Sequence, residues 1–78
     1  MTALQVSRAT GISPNTVYAH LRRGYLKGVQ RGVGERWYIR PIDCIEWAQI
    51  CFNAGGITMR PPDYIRGFIE TFYSGELH

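Results

Sequence analysis

Asn15, Thr16, Tyr18, Ala19, Arg22 and Arg23 fall within one stretch of ten residues, PNTVYAHLRR. A helix advances about 100° per residue, so turning Val17 and Leu21 inward leaves Asn15, Ala19, Arg22 and Arg23 on the opposite side, with Thr16 and Tyr18 at the flanks. Such a face suits duplex recognition. Asn hydrogen-bonds adenine and Arg hydrogen-bonds guanine bidentately, Thr and Tyr hold phosphates or pack on a thymine methyl, and a small residue such as Ala19 lets the helix seat deep in a major groove. The same residues would also make an ordinary solvated basic face, and the elements around them decide between the two.

The stretch TGISPNTVYAHLRRGYL, residues 10–26, supplies those elements. Gly11 separates two apolar-periodic runs and can take positive φ, which lets one helix end and another start almost at once. Ser13 offers an N-cap oxygen, Pro14 fits the first helical position, and Gly24 is a natural stop. Upstream, Thr2 can cap a first helix over residues 3–9 or 3–10. Its inward residues are expected to be Leu4, Val6 or Ser7, and Ala9, with Gln5 and Arg8 facing solvent or phosphate. Tyr25 and Leu26 are expected to tuck back against Val17 and Leu21.

Residues 27–40, KGVQRGVGERWYIR, carry a β-hairpin signature. Residues 29–31 and 36–39 are rich in β-formers, and Gly32, Val33, Gly34 and Glu35 between them suit a tight turn. Trp37 and Ile39 alternate with Arg36, Tyr38 and Arg40, which predicts an apolar inner and a polar outer side. A hairpin in this place is a wing: Gly34 lets the backbone approach a phosphate or the minor groove, while Lys27, Arg31 and Arg36 can grip either.

Pro41 opens a further helix, expected to run to about residue 52 and to lie over the hairpin, with Ile42, Ile45, Trp47, Ala48, Cys51 and Phe52 as its apolar surface and Asp43 complementing its dipole. Residues 57–62 form an extended connection. The last helix is predicted from Pro62 or Asp63 to Tyr73 or Ser74. In it Ile65, Phe68, Ile69 and Phe72 follow i, i+3, i+4, i+7 beside Tyr64 and Tyr73. Either the domain's own core or a second subunit covers that stripe, and these four residues are the candidate self-association set. Residues 75–78 are expected to fray.

Charge is distributed unevenly: residues 1–40 carry seven Arg or Lys against Glu35 alone, whereas residues 41–78 carry two against five acids. The first half is thus suited to a polyanion. No apolar run approaches a membrane span of about 18 residues and no leader pattern opens the chain, which points to the cytoplasm. Cys44 and Cys51 stand seven residues apart on a helix, too far to bridge, and are read as core. With His20 and His78 in unrelated places, no metal site and no cofactor is expected. No nucleophile and base, carboxylate pair or phosphate loop occurs at a useful spacing, so catalysis is not expected.

TGISPNTVYAHLRRGYL resembles the helix-turn-helix of the MerR family, and GVGERWYIRPIDCIEWA resembles the wing and closing helix of its small excisionase-like branch. The likeness covers roughly residues 3–48. It implies a winged helix-turn-helix; with the last helix predicted above, the expected fold is mainly α with a small β-hairpin wing, a winged helix-turn-helix with an additional C-terminal helix. Residues 1–54 would form the DNA-binding domain. Residues 55–78 would be a linker and amphipathic helix, either part of the same compact unit or a self-association element. The likeness places Asn15, Thr16, Tyr18, Ala19 and Arg22 in the major groove and Arg31, Gly34 and Arg36 on the minor groove or backbone. The expected partner is double-stranded DNA, bound by a homo-oligomer, with an integrase or RNA polymerase as candidate protein partners. Roles in excision, transcription regulation, plasmid partition and phage packaging as a terminase small subunit share this domain. Docking onto an acidic protein is the reading from another class.

Overall fold

The computed structural model describes residues 1–76. Helices α1 (Ala3–Thr10) and α2 (Pro14–Arg23) come first, then strands β1 (Val29–Gln30) and β2 (Trp37–Tyr38), then helices α3 (Pro41–Ala54) and α4 (Pro62–Tyr73), closed by a 3-10 turn at Ser74–Glu76. The fold is mainly helical, a helix-turn-helix followed by an antiparallel hairpin and further helices. Leu77 and His78 lie outside the described residues. Of the tail expected to fray, residues 75 and 76 fall in the 3-10 turn.

Local chemistry accounts for the helix ends. Thr2 and Gln5 form a reciprocal capping box, the Gln5 amide donating to Thr2 Oγ1 at 3.3 Å and the Thr2 amide to Gln5 Oε1 at 2.8 Å. Gly11 (φ +76°) and Gly24 (φ +80°) end α1 and α2 in the left-handed region that glycine adopts without steric cost. Ser13 precedes α2 but makes no side-chain cap bond, contrary to expectation; Pro14, lacking an N–H, already lowers the number of donors needing a cap.

Between α1 and α2, the buried Thr10 and Ile12 are held by a set of hydrogen bonds. Thr10 Oγ1 donates to Val6 O at 2.8 Å and accepts from the Ile12 amide at 3.2 Å, Ser7 Oγ donates to Ile12 O at 2.6 Å, and the Gly11 amide donates to Ser7 O at 2.8 Å. From far along the chain the Arg60 amide donates to Thr10 O at 2.8 Å.

One core joins all four helices. Val6, Ala9, Ile12, Val17, Leu21, Leu26, Ile39, Cys44, Trp47, Ala48, Ile65 and Ile69 are buried in it, with Trp37, Ile57, Met59 and Phe68 packed at its margin. Helix α1 packs against α2 and α4, and α3 packs chiefly against α4 rather than over the hairpin. The molecule is a plate of 33 × 31 × 16 Å, so each helix keeps an open side. Several expected core positions are open for this reason. Leu4, Tyr25, Ile42 and Phe52, all expected inside, are exposed because no element lies over their sides. The α4 stripe is split in the same way. Ile65 and Ile69 are fully buried in the chain's own core and are not open to a second subunit, Phe68 is half-buried, and Phe72 is 66% exposed.

The hairpin is shorter than expected, with Val29 opposite Tyr38 and Gln30 opposite Trp37. Arg31 and Arg36 lie outside the strands, in a loop closed by the Glu35 amide on Gly32 O at 3.0 Å and by Gln30 Nε2 on Glu35 O at 2.7 Å. Of the two glycines at the tip only Gly34 takes positive φ, +81°. Past β2, Ile39 exchanges backbone bonds with Met1, at 2.7 and 2.6 Å, which ties the start of the chain to the end of the hairpin.

Gly28 holds the hairpin against α2: a Cβ there would stand 2.7 Å from Leu21 Cδ2 and 3.2 Å from the Trp37 ring. Gly28→Ala should therefore destabilise the fold by about 1–3 kcal/mol through overpacking. Gly67, inside α4 with nothing within 4 Å of an added Cβ, should show the opposite sign: Gly67→Ala stabilises by about 0.5–1 kcal/mol. Urea denaturation of the two variants checks both.

Burial pushes the Cys44 thiol up from 9.0 to about 12. An unfolded chain releases that proton at lower pH than the folded one, so this contribution to stability is present below pH 9.0 and lost as pH rises towards about 12. Denaturation at neutral and alkaline pH should show this loss, and Cys44→Ala should show a smaller one relative to its own neutral value.

Candidate nucleic-acid interface

Helix α2 presents the expected face. Asn15, Arg22 and Arg23 are exposed, Thr16, Tyr18 and Ala19 are half-buried, and Val17 and Leu21 point into the core. The helix carries Arg22 and Arg23 in its last turn, where cations oppose the helix dipole. At its other end the backbone N–H groups of the first turn have no partner within the helix, and the uncapped Ser13 hydroxyl stands beside them. That end suits a phosphate.

The geometry between α1, α2 and the wing adds what the helix alone does not show. Two adjoining concavities, of about 680 and 280 Å³, share Leu4, Tyr18, Arg36 and Trp37. The larger is also lined by Arg22, Gln30, Gly34 and Glu35, the smaller by Thr2, Gln5 and Arg8. Together they make one trough in which guanidinium groups from α1, α2 and the wing converge, with Tyr18 common to both parts. Guanidinium groups can fork onto phosphate oxygens, and glycine at the wing tip permits close backbone approach.

Of the sequence-derived candidates, Tyr18, Arg22, Gly34 and Arg36 are thus brought together. Asn15, Thr16, Ala19 and Arg23 stay on the open face of α2, and Arg31 stands on the outer loop, away from the trough lining. Lys27 lies apart, at a smaller concavity with Tyr38, Arg40 and Asp43. Outside the candidate set, Arg8, Gln30, Thr2, Gln5 and Glu35 also line the trough, and Ser13 stands at the start of α2. Arg8 had a signal, its place on the polar side of α1 beside Gln5. Gln30 had none, because its reach to Glu35 depends on hairpin register.

The charges are left free to act. Among the described residues, none of Arg8, Arg22, Arg23, Lys27, Arg31 and Arg36 is tied to a carboxylate. Arg40 is different: its Nε donates to Asp43 Oδ2 at 2.8 Å and its Nη2 to Asp43 Oδ1 at 3.2 Å, a fork that closes the start of α3. The hydrogen bond and charge of Asp43 push the Arg40 guanidinium further up from its ordinary value.

The family model of the helix-turn-helix domain matches residues 1–49. The chain belongs to the helix-turn-helix domain family. Such a unit binds DNA, and the second helix of the unit is α2 here. No curated protein and no solved structure matches the chain. The helix-turn-helix domain match ends within α3, so the linker and α4 lie beyond it. Among the described residues no helix is long and apolar enough to cross a membrane.

If the trough of this helix-turn-helix domain takes DNA phosphates, Arg36→Ala should weaken binding about equally on all sequences. It should also lower the slope of log affinity against log salt by about 1. Fluorescence-anisotropy titration of a duplex over a salt series measures that slope.

Proposed function

We propose that the protein binds double-stranded DNA sequence-specifically, without catalysing a reaction on it. It would serve as an excisionase, that is a recombination directionality factor, or as a small transcription regulator of a phage, plasmid or mobile element. Helix α2 enters the major groove, and the wing meets the adjacent minor groove or backbone. The observation that carries this reading is the convergence of Tyr18 and Arg22 from α2 with Gly34 and Arg36 from the wing on a single trough. Phosphate contacts supply most of the affinity, and the open face of α2 supplies base readout.

The MerR-like and excisionase-like motifs around this trough support the finer assignment. Copies bound at neighbouring sites would meet through the open part of the α4 stripe, Phe72 with half-buried Phe68. An integrase or RNA polymerase is the protein partner consistent with each role.

Selection from a random duplex pool, followed by titration of the selected site, tests the proposal. Arg22→Ala should cost about 1–3 kcal/mol on that site and flatten the preference at one base position. An equal loss on every sequence would make Arg22 a phosphate contact, and absence of binding even at low salt would overturn the DNA reading.

A further inference from the structure

The C-terminal turn of α2 is tied to α3 by a side-chain hydrogen bond. Trp47, buried on α3, donates its indole Nε1–H to His20 Nδ1 at 3.0 Å, across 27 residues of chain. The His20 ring also stands edge-on to Trp47 and to Tyr25, with centroids 5.5 and 5.4 Å away. A buried indole N–H needs an acceptor, and here α2 provides it. The acceptor nitrogen carries no proton in this arrangement, so the ring hydrogen sits on Nε2.

This bond lies within one turn of Arg22, at the trough, and of Arg23, on the open face of α2. Helix α2 packs against α1, while its hydrogen-bonded tie to α3 is His20 on Trp47. Arg22 and Arg23 belong to the same helical turn as His20 and are both exposed. A small roll of α2 about its axis would carry both guanidinium groups sideways. Bidentate bonds to a base edge tolerate little displacement, whereas attraction to phosphates falls off gently with distance.

We propose that His20 is a positioning residue for base readout: through Trp47 it sets the roll of α2, and with it the register of Arg22 and Arg23 on the duplex. The inference rests on α2 being the recognition helix. It assigns His20 an effect on specificity that is separate from its effect on stability.

The test compares affinity for the selected duplex with affinity for a random duplex of equal length. The proteins are the parent chain, His20→Asn, His20→Leu, Trp47→Phe and the double variant His20→Leu/Trp47→Phe, each checked for folding by circular dichroism. Asn places an oxygen where Nδ1 stood and should keep the ratio of specific to random affinity. His20→Leu should lower that ratio roughly five- to tenfold with random-duplex affinity unchanged. The double variant has no orphaned indole donor, yet its ratio should stay low, because the tie is still missing. If His20→Leu unfolds, the ratio in Trp47→Phe decides in its place. An unchanged ratio in His20→Leu, or recovery of the ratio in the double variant, would overturn the proposal and leave the bond as a stabilising contact alone. A parent chain with no preference for its selected duplex would overturn the recognition reading beneath it, a distinct outcome.

Discussion

The structure depends on a turn whose two buried residues, Thr10 and Ile12, have their polar groups hydrogen-bonded. Thr10 and Ile12 sit in the interior between α1 and α2, where each unbonded backbone group would cost about 1–3 kcal/mol. Thr10 Oγ1, Ser7 Oγ and the Gly11 amide satisfy the turn from within, and the Arg60 amide satisfies Thr10 O from the far part of the chain. This bonding allows two helices to meet with three residues between them and holds the angle at which α2 stands out. It also joins the linker to the helix-turn-helix. Arg60 packs its side chain over Gly11 and sets its guanidinium 4.8 Å from the Tyr64 ring centre, so α4 is anchored beside the same turn.

The wing depends on that arrangement in turn. Strands of two residues do not persist alone, and what holds these is the surrounding packing. Leu21, on α2, lies so close to Gly28 that no larger side chain fits between them without a shift, and the Ile39 backbone is paired with Met1. The helix and the hairpin therefore share contacts, and the distance between Arg22 and Arg36 across the trough is set by core side chains rather than by the charged groups themselves. A basic surface assembled this way is preorganised, since the arginines repel one another and would not gather without the scaffold.

Thinness is the other constraint. A plate 16 Å deep cannot cover both sides of any helix, so apolar residues such as Ile42, Ile50, Phe52 and Phe72 remain in solvent although their helices are well packed on the other side. The acidic C-terminal half and the basic N-terminal half are folded around the same core, and the buried Asp43 takes Arg40 out of the pool of free cations.

Helix starts and stops were legible in the residues because the forces that set them act within one turn: Thr2 with Gln5, Pro14 and Pro41 at first positions, Gly11 and Gly24 at ends. The alternation of Trp37, Tyr38 and Ile39 likewise marked the inner side of the hairpin. The exposed face of α2 followed from the placement of Val17 and Leu21. What remained out of reach depended on elements distant in sequence. The apolar residues of α3 surround much of the helix, so only the position of α4 could decide that Cys44, Ile45, Trp47 and Ala48 are buried while Ile42 and Phe52 are not. The addition of Arg8 to the trough, the bond from Arg60 to Thr10 and the tie from Trp47 to His20 were decided the same way. The sequence by itself determined the elements and the face of α2, because those arise from interactions between near neighbours in the chain. Only the tertiary structure decided which charges share a surface and which apolar residues share a core, because burial is a property of the whole packed plate.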